Sequence, residues 1–294
     1  MLHPRVFGPL LASIALATAG RAAEVRIVGS DLLGPAFAAA LEKFGRENGA
    51  KIAATLAGTR PGLDQLRAGV ADVGLFALPP GETPPAAPFV AHVIACQPVV
   101  LIVPDKLPLT QLTAAQVRGI FAATGAENLT LWGELGLTGE WRARTIAIHV
   151  VEPAAALTLP LFRRLALSGA ELKPLANTAA LDRVLDRVRA SDNAIGLVAT
   201  LPAQGSGLRA LALAPSVRES AHQPTAANLH DGSYPLRLPL YLVFRREAVP
   251  RLLVFLRFLL SDECADALAQ ADFQPLPPDA RNQLVFELEE LAQP

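Results

Sequence analysis

The stretch that most constrains the fold is Val25–Phe44, which reads VRIVGSDLLGPAFAAALEKF. Val25–Val28 has the β-branched composition of a short strand, and Gly29, Ser30 and Asp31 follow it as a small polar turn. Apolar residues then recur at helical spacing, at Leu33, Phe37, Leu41 and Phe44. A strand, a turn and a helix N-terminus form a concave group of backbone N–H donors with partial positive charge. The pattern predicts an α/β fold with a candidate anion site in this turn, although Ser30 or Asp31 as an ordinary N-cap is the simpler interpretation of these residues alone.

The next segment repeats the same order of elements. Lys51–Ala57 is predicted as a second strand, Gly58–Gly62 as a turn and Leu63–Ala68 as a helix. Gly69–Phe76 is predicted as a tight turn that leads into a third strand. Strand–helix–strand units of this kind form parallel sheets, and ligands collect at the carboxyl ends of their strands.

Three residues of this segment are further candidates for ligand binding. Thr59 supplies a hydroxyl in the second turn, Arg60 a positive charge, and Asp72 a hydrogen-bond acceptor before the third strand. Each has an ordinary structural alternative. Thr59 also suits a helix N-cap, Arg60 a solvated turn residue, and Asp72 a carboxylate that holds a turn.

A targeting signal precedes the first strand. Met1–Ala23 carries His3 and Arg5 near its start, then an uncharged apolar run, and closes with Gly20-Arg21-Ala22-Ala23. This is the pattern of a cleavable secretory signal peptide, so residues 1–23 are predicted to be removed and the protein to be exported. No later stretch reaches the roughly 20 apolar residues of a membrane-spanning helix.

Composition excludes several classes of function. The 294 residues are 51% hydrophobic and carry a net charge of −1, which gives no reason to expect a nucleic-acid or membrane-surface partner. The sequence contains no His-Glu-x-x-His, Cys-x-x-Cys, Gly-x-Ser-x-Gly or P-loop motif, so an enzyme or a bound cofactor is not predicted. Cys96 and Cys264 lie in apolar runs and are interpreted as buried free thiols, with a disulfide as the minority alternative.

The rest of the chain predicts a second α/β unit. Phe89–Val103 is long, apolar and β-branched, as expected of a buried strand that crosses the middle of the molecule. Thr113 is predicted to cap a helix, and a strand is predicted over Thr145–Val151. The further predicted elements are helices over Leu157–Leu167, Leu181–Ala190, Val249–Leu260 and Cys264–Ala269, a strand over Ala194–Ala199 and an extended segment over Gly232–Arg245.

Several ordered motifs resemble one family. Gly69–Gly74 resembles a G-x-x-D-I-G segment, and Leu109–Phe121 with Leu131–Gly136 resembles L-T-x-x-Q-x-x-x-I-F followed by N-W-x-x-L-G. Gly232–Tyr241 resembles Y-P-L-x-R-P-L-Y, and Phe258–Asp262 resembles the C-terminal F-x-L-S. Together they resemble the phosphate-binding proteins of bacterial phosphate ABC transporters, over nearly the whole chain after the signal.

The resemblance implies a type II periplasmic-binding-protein fold, with two α/β lobes joined by two crossing strands. Lobe 1 would comprise residues 24–101 and 240–294, and lobe 2 residues 102–239. It further implies a periplasmic monomer that binds a small phosphate-like anion between the lobes and delivers it to an inner-membrane ABC permease. The ligand-binding residues expected from the residues and the resemblance are Gly29, Ser30, Asp31, Thr59, Arg60, Asp72 and Thr158.

One motif departs from the family pattern. The family's R-E-x-x-S-G-T-R-x-x-F reads Val151–Phe162 here, which retains Thr158 but replaces the Ser, Gly and Arg positions by Ala156, Leu157 and Leu159. Arg60 or His149 are candidates for a replacement positive charge. The departure motivates an alternative function, an exported scaffold or signalling protein that keeps the fold and binds another solute or a protein partner.

Overall fold

The computed structural model describes residues 24–125, 127–152 and 157–293. The predicted signal segment lies outside the described residues. Within the described part, no helix combines the length and the apolar character that a bilayer crossing needs.

The strands and helices alternate along most of the chain. The strands are β1 (Glu24–Gly29), β2 (Lys51–Thr55), β3 (Val73–Ala77), β4 (Phe89–Pro98), β5 (Val100–Pro104), β6 (Gln111–Thr113), β7 (Ala147–Val151), β8 (Asn177–Ala179), β9 (Ala194–Val198), β10 (Leu208–Ala210), β11 (Ala212–Ala214), β12 (Arg237–Arg245) and β13 (Gln274–Pro275). The helices are α1 (Gly34–Glu47), α2 (Thr59–Arg67), α3 (Ala114–Phe121), α4 (Thr158–Ala166), α5 (Leu181–Ala190), α6 (Ala226–Asp231), α7 (Val249–Leu259), α8 (Asp262–Ala269) and α9 (Pro278–Leu291).

Two separate mixed sheets form the centres of two lobes. The sheet of the first lobe has the strand order β13-β4-β12-β3-β1-β2, in which β1 is parallel to both β2 and β3, as predicted. The sheet of the second lobe has the order β10-β5-β9-β7-β8. The predicted two-lobed α/β fold is therefore confirmed.

The chain passes from the first sheet to the second at Val99, between β4 and β5. Val99 is fully buried; its N–H donates to the Leu236 carbonyl (2.9 Å), and its carbonyl accepts from the Tyr234 hydroxyl (2.9 Å). The predicted continuous strand is thus two strands in different sheets, and the returning chain crosses beside it. We propose that the lobes meet at these two crossings, Pro98–Val100 and Leu236–Arg237.

Apolar periodicity correctly predicted which faces are buried. The face of α1 that carries Phe37 and Leu41 packs in the core, and Phe44 stacks on Phe258 of α7, with ring centroids 4.3 Å apart. Thr113 caps α3 in a reciprocal capping box with Gln116. The ring contact joins α1 to α7, and the capping box fixes the start of α3.

The two cysteines, Cys96 and Cys264, are both buried free thiols, which confirms that interpretation over a disulfide.

Helix α9 lies in a segment for which no element was predicted. Its first residue is Pro278, at a position where a helix needs no N–H donor.

Candidate functional site

The predicted ligand turns after β1 and β2 are tied together by the backbone. The Gly58 N–H donates to the Gly29 carbonyl at 2.9 Å. At Gly29 a Cβ atom would lie 2.2 Å from the Leu75 carbonyl oxygen, and at Gly62 it would lie 3.1 Å from the Gly29 nitrogen. Glycine at both positions lets β1, β3 and the start of α2 approach closely, so the two turns form one surface at the carboxyl edge of the sheet.

Ser30 is buried in this surface and caps a short 3-10 turn. Its N–H donates to the Leu75 carbonyl (2.8 Å), and its Oγ accepts from the Leu32 N–H (3.3 Å). The side chain is therefore an N-cap, as the ordinary alternative holds, but its hydroxyl hydrogen is not used in that bond. Asp31, the next residue, is exposed.

Thr59 uses its hydroxyl to extend the sheet. Thr59 Oγ1 accepts from the Ala77 N–H (3.1 Å) and donates to the Ala77 carbonyl (3.2 Å). The side chain thereby pairs with the last residue of β3, and its one hydroxyl hydrogen is committed. In the first turn of α2, Pro61 has no N–H and the Gly62 N–H donates to the Gly58 carbonyl (3.2 Å), so the backbone groups that the second turn can offer a ligand are the N–H groups of Thr59 and Arg60.

A cleft separates these two turns from the second lobe, and one face of α4 forms its opposite wall. The residues of that face follow the helical spacing i, i+3, i+4 and i+7, and they are Leu157, Pro160, Leu161 and Arg164. Three of the four are apolar. The second lobe therefore faces the polar turns of the first with a largely hydrophobic surface that ends in a guanidinium group.

The space between these walls is a cleft of about 490 Å³. Its lining includes Ser30, Asp31, Thr59 and Arg60 from the first lobe and the α4 face from the second. Its size falls within the range of about 300–1,000 Å³ that is usual for small-molecule sites. The structure thus brings four of the predicted site residues together at one interlobe opening. Gly29 is not in the lining, but its carbonyl accepts the hydrogen bond that ties the two turns together.

An ion pair joins the lobes at the edge of this cleft. The Glu82 carboxylate, from the loop after β3, lies 2.8 Å from the Arg164 guanidinium and 4.0 Å from that of Arg60. Arg60 and Arg164 are 85% and 57% exposed, so both guanidinium groups remain in contact with water. Two positive charges from opposite lobes therefore flank the opening, with one carboxylate between them.

Comparison with known proteins identifies the family. Residues 16–263 match the family model described as a PBP superfamily domain. The chain belongs to the PBP (periplasmic binding protein) superfamily. The resemblance inferred from the sequence motifs is thereby confirmed.

Individual relatives of this PBP-superfamily chain carry phosphate-related names. The chain is 25% identical over 217 residues to the phosphate-binding protein PstS of Pseudomonas aeruginosa, and the match covers 71% of this chain and 65% of that protein. The chain thus spans about two thirds of the length of the curated relatives it matches.

Solved structures share the fold. A possible phosphate binding protein from Planctomyces limnophilus superposes with a TM-score of 0.67 at 18% identity, over 92% of this chain and 99% of that one. PstS from Borrelia burgdorferi gives a TM-score of 0.68 at 15% identity, over 87% and 99% of the two chains. At these identities the likeness establishes the PBP fold.

Asp72, a predicted ligand residue, lies elsewhere in this PBP fold. Asp72 precedes β3, whereas the cleft lies beyond the carboxyl end of that strand. The five residues of β3 span about 16 Å, which separates Asp72 from the cleft. Its carboxylate accepts from the Arg26 N–H (2.8 Å) and pairs with Arg26 (3.3 Å) and Arg251 (2.9 Å). Burial alone raises the pKa of the Asp72 carboxyl, but the hydrogen bonds from Arg26 and Arg251 outweigh it and lower that pKa. Asp72 therefore connects β1 and α7 through its two arginine partners and is not among the residues that line the cleft.

Thr158 and His149 also fail to reach the cleft lining. Thr158 is 2% exposed and lies one turn from Phe162, which packs edge-on against Phe121 in the core of the second lobe. This face of α4 differs from the one that borders the cleft. His149 lies within β7, and burial lowers the pKa of its imidazole, with Arg187 lowering it further. Both effects disfavour the protonated imidazolium, which is the form that would have to replace a missing positive charge.

Sequence reasoning missed Glu82 and Arg164. Glu82 lies in a Pro-rich loop whose pattern indicates only a turn, and 82 residues separate it from its partner. Arg164 had a usable signal, because it stands seven residues after Leu157 on the helix that replaces the family motif.

Proposed function

We propose that this chain is an exported solute-binding protein that captures a small anion between its lobes and presents it to an ABC permease. The observation that carries the proposal is the interlobe cleft, in which two helix-opening turns face Arg164 across one opening. Relatives named as phosphate-binding proteins, together with an ABC-type phosphate transport receptor from Vibrio cholerae among the structural neighbours, point to a phosphate-like anion. By the same analogy we propose that the protein acts as a periplasmic monomer.

The chemistry of capture is hydrogen bonding and charge, with no covalent step. Backbone N–H groups at the start of α2 and the Ser30 hydroxyl hydrogen would donate to the anion from the first lobe. Arg60 and Arg164 would approach it from opposite lobes. Because such an anion gains all of these contacts only when the lobes are together, its binding would favour the closed form that a permease recognises.

Isothermal titration of the purified protein with phosphate, sulfate, molybdate and tungstate tests the proposal. We expect one of these oxyanions to bind with one-to-one stoichiometry. Arg60→Gln should weaken that binding by about tenfold, because it removes a charged donor. Arg67→Gln is the matched control, since Arg67 ends the same helix and pairs with Asp64 instead. Equal effects of the two substitutions, or no heat with any oxyanion, would contradict the proposal.

One observation favours a second function, that of a scaffold or signalling protein that no longer binds an anion in the cleft. Ser30 Oγ and Thr59 Oγ1 already bond to the backbone, and the α4 face is mostly apolar. Such a protein would bind none of the oxyanions. Its scattering profile would also stay the same when they are added, because nothing would drive the lobes together.

A further inference from the structure

We propose that the cleft binds an organic monoanion, of the alkylphosphonate class, in preference to inorganic phosphate. Its anionic head would lie at the two helix-opening turns and its alkyl group against the apolar face of α4. The inference rests on the proposed function and goes further by naming the chemistry of the ligand. Three features of the cleft carry it: its charge balance, its two unlike walls and its volume.

The charged side chains around the opening cancel. Arg60 and Arg164 contribute two positive charges, while Asp31 in the lining and Glu82 beside it contribute two negative ones. Dehydrating a doubly charged anion needs an excess of positive charge and direct charged hydrogen bonds to repay the lost hydration. The partial positive charge at the start of α2 suits a single negative charge better.

The two walls of the cleft differ in polarity. On the first-lobe side the Ser30 hydroxyl and the N–H groups of Thr59 and Arg60 supply donors, among apolar lining residues that include Leu32, Pro61 and Pro79. On the second-lobe side Leu157, Pro160 and Leu161 present carbon to the same space. An inorganic oxyanion has hydrogen-bond acceptors on every side, so the oxygens turned toward this wall would lose hydration without gaining a partner. A ligand that is anionic at one end and aliphatic at the other matches both walls.

The volume supports the same conclusion. Five heavy atoms of an inorganic oxyanion occupy on the order of 150 Å³, at the ~30 Å³ that liquid water gives each heavy atom. The cleft holds about 490 Å³, even though the Glu82–Arg164 pair already joins the lobes at its edge. The remaining space can accommodate an alkyl chain of several carbons.

The test is titration calorimetry with inorganic phosphate and with methyl-, propyl- and butylphosphonate under one buffer condition. Each buried CH₂ group contributes about 0.8 kcal/mol, so Kd should fall about fourfold per added carbon until the space is filled. Kd that does not depend on chain length would overturn this inference, yet tight binding of phosphate itself would leave the proposed function standing. Failure of every anion to bind would overturn both.

A matched pair of leucine variants locates the alkyl group. Leu157 lines the cleft and is 39% exposed, whereas Leu175 is 84% exposed in the same lobe and is not among the described lining residues. Leu157→Ser should flatten the dependence of Kd on chain length, because it removes apolar contact from the second-lobe wall. Leu175→Ser should preserve the dependence. If both variants keep the wild-type dependence, the alkyl group does not contact α4 and the inference is wrong.

Discussion

The Glu82 carboxylate lies 2.8 Å from the Arg164 guanidinium and thereby connects the loop after β3 in one lobe to α4 in the other. Exposed ion pairs contribute little to stability, typically about 0.2–1 kcal/mol. Under the proposed division the chain crosses between the lobes at Pro98–Val100 and Leu236–Arg237, and a contribution of this size changes how often the lobes separate. The pair is therefore a contact that adjusts the opening of the cleft rather than one that stabilises the fold.

Glu82→Gln should leave the free energy of unfolding within about 1 kcal/mol of the wild type but increase the separation of the lobes. Double electron–electron resonance between spin labels at Val70→Cys and Leu175→Cys measures that separation. Both positions are exposed, and the native cysteines are buried. Glu171→Gln is the control, because Glu171 pairs with Arg163 inside the second lobe. Identical distance distributions for Glu82→Gln and Glu171→Gln would show that the pair does not hold the lobes.

Asp72→Asn should destabilise the protein by about 1–3 kcal/mol at neutral pH, because it removes the charge that Arg26 and Arg251 share. Urea unfolding measures the loss, and Asp64→Asn, at an exposed pair with Arg67, is the control. Anion affinity should not change, since Asp72 lies away from the cleft. A large loss of affinity without a loss of stability would return Asp72 to the ligand site.

The difference in stability between wild type and Asp72→Asn should shrink as the pH falls. The pKa of Asp72 is lowered in the folded protein, mainly because hydrogen bonds from Arg26 and Arg251 overcome the effect of burial. Its contribution to stability is therefore complete above the usual unfolded value of about 3.9 and is lost as the pH falls through the lower folded value. Wild type and Asp72→Asn should become more alike in urea unfolding below that range. A difference that grows on acidification would contradict the assignment.

Thr59→Val should cost about 1–3 kcal/mol, because it leaves the N–H and the carbonyl of Ala77 without the hydroxyl that pairs with both. Thr59→Ser keeps the hydroxyl and should retain most of the stability. Thermal and urea unfolding of the two variants measure the effect. If the serine variant unfolds as easily as the valine variant, the methyl group rather than the hydroxyl is what matters at this position.

Gly29→Ala should prevent stable folding, because the new Cβ would lie 2.2 Å from the Leu75 carbonyl oxygen, and that atom belongs to the backbone of β3. Gly125→Ala is the control, since its nearest contact would be an ordinary 3.9 Å. Soluble yield and circular dichroism distinguish them. A well-folded Gly29→Ala protein would mean that β1 and β3 can separate at the carboxyl edge.

Local patterns in the sequence were sufficient to predict most of the fold. Apolar spacing identified α1 and α5, and the order of elements identified the parallel β1, β2 and β3. The break at Val99 was not predicted, because the apolar run continues through it without a turn signal. The two strands are distinguished only by their partners, since β4 pairs with β12 in the first sheet and β5 pairs with β9 in the second. No element was predicted over α9, although Pro278 occupies a position at which proline commonly opens a helix.

Part of the site was also predictable from the order of strands and turns in the sequence. Ser30 and Thr59 follow parallel strands, and the carboxyl ends of such strands meet at one edge of the sheet. Asp72 precedes its strand, so the same rule should have placed it at the opposite edge. Thr158 matched a family motif, but one residue of helix rotation separates it from the cleft face. The Glu82–Arg164 contact depends on how two lobes meet, which local sequence does not record.

The most direct test of the central claim is amide hydrogen exchange, followed by mass spectrometry, with and without saturating butylphosphonate. In the proposed complex one ligand contacts both walls of the cleft. We therefore expect slower exchange in the peptides that contain Gly58–Gly62 of the first lobe and Leu157–Arg164 of the second, with little change around Asp72. Protection confined to one lobe, or protection at the Asp72 edge instead, would contradict it.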